Sequence, residues 1–169
     1  MAWEPGRDGP VAWIGTDTGG LRDAARSALR QLAGLPVTAP GSATPPRTLV
    51  LDGDGDAVPE GIHVSTGTTG HDAPDRWTVL CPAQAAAGRL EASLDDVRED
   101  LAVRRPVRLV ITAWGRWAGL RVGTGYETAE EHLSLLLRDH PPSLLAVALF
   151  GGRELAGGRV LGQVPNRFY

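Results

Sequence analysis

The chain contains no lysine: all 17 of its basic residues are arginine. A phosphate loop that relies on lysine is therefore excluded. Cys81 is the only cysteine, which excludes an internal disulfide and any multi-cysteine metal site. It ends the apolar run Trp77-Thr78-Val79-Leu80-Cys81 and reads as a buried, inert thiol. No stretch reaches the ~18 apolar residues of a membrane helix. Met1 to Pro10 has no signal-peptide apolar core, so the chain reads as cytoplasmic. The net charge of −3 gives no general attraction to nucleic acid, and no direct nucleic-acid binding is expected. The four histidines, His63, His71, His132 and His140, show no H-x-x-x-H spacing. His71 beside Asp72 reads as a solvated loop residue. Arginine in place of lysine, with abundant Ala, Gly and Pro, points to a GC-rich coding bias rather than to chemistry.

A length of 169 residues with 42% hydrophobic content fits one domain with a real core. Residues 1–10 read as a flexible lead-in. An apolar strand is expected at Val11–Ile14 and a helix from about Gly20 to Ala33, its inner face built on Leu21, Ala25, Ala28, Leu29 and Leu32. Gly34 and Pro36 stop that helix. Residues 36–46 carry four prolines and read as an extended loop. Short strands follow at Thr48–Leu51, Ile62–Ser65 and Trp77–Cys81, with a Gly- and Thr-rich loop over 66–75.

A long helix is expected from about Gln84 to Val103, with Leu90, Leu94, Val97 and Leu101 as one apolar stripe. Its other face, Asp95, Asp96, Arg98, Glu99 and Asp100, reads as solvated. Val107–Thr112 suits a buried parallel strand. Thr128-Ala129-Glu130-Glu131 fits a capping box and opens a helix to about Arg138. Leu144–Phe150 is the most apolar strand, and a short helix follows at about Arg153–Leu161. Asn166 to Tyr169 resembles the start of a further strand. Strands alternating with helices indicate an α/β layered domain around a mostly parallel sheet.

Three constellations could carry chemistry. Gly15-Thr16-Asp17-Thr18-Gly19-Gly20-Leu21-Arg22 has the strand-to-helix context and glycine spacing of a phosphate loop. Leu21 stands where the lysine belongs and Arg22 where the magnesium-binding hydroxyl belongs. Its amides could still hold an anion, with Gly15, Gly19, Gly20 and Arg22 as the residues concerned. The favoured reading is a tight turn that needs glycine for backbone reasons, since Asp17 would repel a phosphate. The strand Leu109-Val110-Ile111 ends in Thr112-Ala113-Trp114, without the carboxylate that holds magnesium in such enzymes.

Leu51-Asp52-Gly53-Asp54-Gly55-Asp56 is the rival constellation. A strand followed by D-x-D resembles the first motif of haloacid-dehalogenase-type phosphatases, which would make Asp52 a nucleophile and Asp54 a general acid around magnesium. The basic residue and later acidic pair of that family are missing, and a solvated acidic turn is favoured. Finally, Trp114-Gly115-Arg116-Trp117 fits either an interface rich in Trp and Arg or a lid over the sheet end.

In order along the chain, these pieces resemble the FtsK/SpoIIIE type of hexameric translocase ATPase, including members associated with type VII secretion. The residues that carry the resemblance are Leu136-Leu137-Arg138-Asp139, the strand Leu144–Phe150, Gly151-Gly152-Arg153-Glu154-Leu155 and Val164-Pro165-Asn166-Arg167-Phe168-Tyr169. The likeness is best over residues 105–169 and weaker over 11–35. It implies a RecA-like P-loop NTPase three-layer sandwich, with Val11–Ile14, Val107–Ile111 and Leu144–Phe150 as central neighbouring strands. It also implies other ATPase modules or subunits of a translocase as partners, an oligomeric setting, and a family domain that continues past Tyr169.

The departures at Leu21, Arg22, Thr112 and Ala113 make the expected function that of a degenerate, catalytically inactive module acting through protein contacts. Trp114, Arg116, Trp117 and Arg153 are the expected interface residues. No catalytic residue, metal or cofactor is expected. Nucleotide binding without hydrolysis, with ATP as the ligand, stays open as an alternative.

Overall fold

Leu145–Gly151, Val107–Thr112 and Val11–Ile14 are apolar along nearly their whole length, so both of their faces must be covered. The computed structural model, which describes residues 3–5, 7–35, 45–60 and 76–169, shows how. Strands β1 (Val11–Ile14), β2 (Arg47–Asp52), β3 (Arg76–Leu80), β4 (Val107–Thr112), β5 (Leu145–Gly151) and β6 (Asn166–Phe168) form one sheet. Its order is β3-β2-β4-β5-β1-β6, and every pairing is parallel. β4, β5 and β1 are adjacent, as the apolar runs predict. Helices cover both faces, making an α/β three-layer sandwich of RecA-like architecture.

The period of two along each strand assigns residues to the layers. On β5, Leu145, Val147 and Leu149 join Leu109 and Ile111 of β4 against α3 (Leu90–Ala102) and α4 (Ala129–Asp139). Ala146, Ala148 and Phe150 of β5 and Val110 of β4 face the other way, toward α1 (Thr18–Ala33). That core includes small residues of both layers, Ala25 and Ala28 of α1 and Ala146 and Ala148 of β5, beside Leu29, Leu32 and Phe150.

The elements stop where the sequence stops them. Thr128 caps α4 by accepting from the Glu131 amide at 3.3 Å, while the Glu131 carboxylate accepts from the Thr128 amide at 2.8 Å. α3 ends before Arg104, which takes a left-handed φ of 58° ahead of Pro106.

Several expectations need correction. The long helix is composite: α2 (Pro82–Gln84) passes through a π-helical segment, Ala85–Arg89, before α3 begins. The last helix is likewise α5 (Arg153–Gly157) followed by a 3-10 turn at Val160–Gln163.

The lead-in is not free of the fold. Trp3 is only 3% exposed and belongs to the α1-side core. Its carbonyl accepts from Gln31 Nε2 at 2.8 Å, and its indole donates to the Gly9 carbonyl at 3.3 Å. A large apolar ring in a polar segment supplies the anchor.

Asp100 is not on the solvated face: it is buried, and its carboxylate takes hydrogen bonds from Arg47 at the start of β2 and from Arg105. The expected strand Ile62–Ser65 and the residues His63 and His71 lie outside the described residues.

Candidate functional site at the carboxyl edge of the sheet

Because all strands run parallel, their carboxyl ends gather at one edge, the place where ligands bind in open α/β sheets. Here that edge carries Gly15 after β1, Asp52 and Gly53 at the end of β2, Cys81 after β3, Thr112 and Ala113 at the end of β4, and Gly151 at the end of β5. Gly15, Asp52, Thr112 and Gly151 therefore lie along one edge of the sheet.

The phosphate loop is not formed. β1 ends at Ile14 and α1 already begins at Thr18, so only Gly15, Thr16 and Asp17 connect them. Gly19 and Gly20 lie in the first helical turn. Asp17 is the N-cap, and its Oδ1 accepts from the Gly19 amide at 3.0 Å. A Cβ built on Gly20 would stand 2.8 Å from Asp17 Oδ2. The carboxylate therefore lies over the first turn of α1, where the helix end is partly positive and where an anion would sit. The Gly15 amide is also committed, donating to the Gly151 carbonyl at 3.1 Å.

Leu21 packs its side chain toward Gly15 and offers no charge. Arg22 points to the acidic turn: its guanidinium lies 3.4 Å from Asp56 Oδ2 and 3.8 Å from Asp54 Oδ1. Arg26, one turn on, joins Asp56 at 2.9 Å. Two arginines on α1 thus pair with Asp54 and Asp56 of the acidic turn.

The two strand ends that would hold magnesium in an enzyme instead brace each other. Thr112, fully buried, donates through Oγ1 to Asp52 Oδ1 at 3.1 Å and accepts from the Gly53 amide at 3.0 Å. Asp52 Oδ1 also accepts from the amides of Asp54 at 3.1 Å and Gly55 at 2.9 Å, and Oδ2 accepts from Ala57 at 3.0 Å. Asp52 is 2% exposed. Both of its oxygens are used to shape the turn. Cys81 stands nearby, and burial together with the charge of Asp52 pushes its thiol up from its ordinary value. A thiol held protonated in this way is a poor nucleophile.

The tryptophans close this edge from within. Ala113 takes a left-handed conformation, φ 48° and ψ 56°, and turns the chain back into the short 3-10 helix Trp114–Arg116. Trp114 is 1% and Trp117 0% exposed. The Trp117 indole donates to the Thr112 carbonyl at 3.1 Å. A Cβ on Gly53 would come within 2.6 Å of that carbonyl, and one on Gly151 within 2.8 Å of Trp114 Cβ. Those two glycines admit the tryptophan plug. The expectation that Trp114 and Trp117 are interface residues is thus corrected: the turn at Ala113 folds both rings under the edge, as a lid over the sheet end. Arg116 and Arg153 are exposed.

No family model, curated protein or solved structure matches this chain. Among the described residues, no group of His, Cys, Asp and Glu could hold a metal ion, and no helix is long and apolar enough to cross a membrane.

Asp17, expected only as a charge that repels phosphate, is the N-cap of α1. The signal was present: an Asp two residues before a glycine at a strand-to-helix junction is an N-cap pattern. The partnership of Thr112 with Asp52 joins residues sixty apart in sequence, and no local signal announces it.

Proposed function

We propose that this chain is a nucleotide-fold module without nucleotide chemistry, which acts by contact with other domains or subunits. The observation that carries this reading is the Asp17 carboxylate on the first turn of α1. It supplies from within the chain the negative charge that a nucleotide phosphate would bring, and a second anion there would meet like charge. The engagement of Arg22 by the acidic turn and the use of Thr112 as a brace support the same reading.

The order of motifs resembling the FtsK/SpoIIIE translocases, type VII secretion members included, makes a translocase ATPase module the partner class, in a cytoplasmic and oligomeric setting. Arg116 and Arg153, exposed on the carboxyl edge, are the residues offered to an acidic neighbour.

The phosphatase alternative has less support. A nucleophilic carboxylate needs an oxygen facing substrate, and both oxygens of Asp52 are held by backbone amides and Thr112.

The test is turnover. With magnesium, the purified chain is expected to release no phosphate from ATP or from an aryl phosphate above the buffer rate. Turnover that disappears in Asp52→Asn would overturn the proposal in favour of a phosphatase. Turnover of ATP that survives that change would overturn it in favour of an ATPase.

A further inference from the structure

His132 lies on α4 and is 6% exposed. Its two ring nitrogens face opposite partners. Nε2 stands 2.8 Å from Glu127 Oε2, on the segment that leads into α4. Nδ1 meets the guanidinium of Arg98, which comes from α3. Arg98 also reaches Asp95 of its own helix at 2.9 Å. The other charges facing the ring are Asp95 from α3 and Glu131 from α4 itself. Glu131 in turn feels Arg159 beside the 3-10 turn.

A guanidinium has donors only and a carboxylate acceptors only. The arrangement therefore requires a neutral ring with its hydrogen on Nε2, donated to Glu127, and a bare lone pair on Nδ1, taken by Arg98. A solvent proton arriving at the ring has one place to go, Nδ1. It then competes with Arg98 for the same lone pair, and two N–H groups of like charge face each other. On the opposite side, protonation strengthens the bond from Nε2 to Glu127.

We propose that His132 is an acid-released latch on the seam between α3 and α4. Uptake of a proton at Nδ1 expels Arg98 and frees α3 from the ring, while Glu127 stays attached and keeps its loop with α4. The release is one-sided because the two partners differ in chemistry. Burial, with the Arg98 charge next and the carboxylates opposing, holds the imidazole below its ordinary value, so the latch is closed at neutral pH.

The experiment is a titration of histidine ring nitrogens by NMR on the full chain labelled with nitrogen-15 histidine, from pH 8 to pH 5. The His132 signals are identified by their loss in His132→Gln. At pH 7.5 the neutral tautomer with hydrogen on Nε2 is expected. In Arg98→Met the midpoint is expected to rise by about one unit, a tenfold gain in proton affinity. In Glu127→Gln it is expected to fall, because the acceptor that favours the charged ring is weakened. Circular dichroism checks that each variant is folded. A hydrogen on Nδ1 at pH 7.5, an unchanged midpoint in Arg98→Met, or a midpoint that holds or rises in Glu127→Gln would each overturn the latch.

Discussion

Thr112 and Asp52 are joined across two adjacent strand ends, Thr112 Oγ1 donating to Asp52 Oδ1 at 3.1 Å inside the protein. In register, the same two residues face each other as partners of β4 and β2. One stands where a nucleotide enzyme keeps its metal carboxylate, and the other heads the D-x-D turn. Their bond ties the end of β4 to the turn after β2. Thr112→Val keeps the shape and removes the hydroxyl, leaving Asp52 and the Gly53 amide each short of a partner. A loss of about 1–3 kcal/mol is expected, largely restored in Thr112→Ser, by urea denaturation. A change under about 0.5 kcal/mol would show that the brace is not needed.

Trp117 belongs to the core rather than to the surface. Its ring is fully covered and its indole donates to Thr112. Trp117→Ala is expected to destabilise the chain by about 3–5 kcal/mol, the range for large aromatic truncations in cores. Arg116→Ala, one residue away and exposed, is expected to leave stability within about 0.5 kcal/mol. Equal stabilities for the two variants would return Trp117 to the surface.

Asp100 holds two arginines at the amino end of the sheet. Arg47 and Arg105 both donate to its carboxylate, and Arg47 also reaches Asp96 at 3.1 Å. Asp100→Ala leaves partly buried cations without their shared acceptor, and a cost of about 3–5 kcal/mol is expected. Asp96 is half exposed, so Asp96→Ala is expected to change stability by about 1 kcal/mol or less. Thermal or urea melts of the two variants separate the cases, and a mild Asp100→Ala would contradict the burial argument.

The buried histidine also sets a pH dependence. His132 holds its proton less tightly in the folded than in the unfolded chain, because burial and Arg98 disfavour the charged ring. The unfolded chain therefore takes up the proton first as pH falls. The stabilising contribution is complete above the ordinary histidine value of about 6.5 and declines as pH drops below it toward the lowered folded value. Denaturation of wild type and His132→Gln between pH 8 and pH 5.5 is expected to show a steeper acid loss in the wild type. A steeper loss in the variant would contradict the sign.

The fold was legible because its strands are short apolar runs bounded by Gly, Pro and Asp, and its helices carry clear stripes. Leu90, Leu94, Val97 and Leu101 are buried as their spacing requires. Asp100 could have been placed too: it sits at the margin of that stripe, three residues after Val97 and beside Leu101. His132 shares the inner face of α4 with Leu136, four residues on. The tryptophan plug was not legible, because it depends on a left-handed alanine. Ala113 has no local preference for that conformation; its methyl group lies against Gly53, sixty residues earlier in the chain, where a Cβ would stand only 2.8 Å from it. Long-range contacts of this kind, like the one between Thr112 and Asp52, leave no periodic trace.

On the proposed function, Asp17 stands on the first turn of α1 where a nucleotide phosphate would otherwise bind. Isothermal titration of the full chain with ATP and magnesium tests it most directly, with Asp17→Ser alongside as a capping variant that removes the charge. The wild type is expected to give no binding heat up to millimolar ATP. Saturable micromolar binding by the wild type, with its carboxylate in place, would contradict the account.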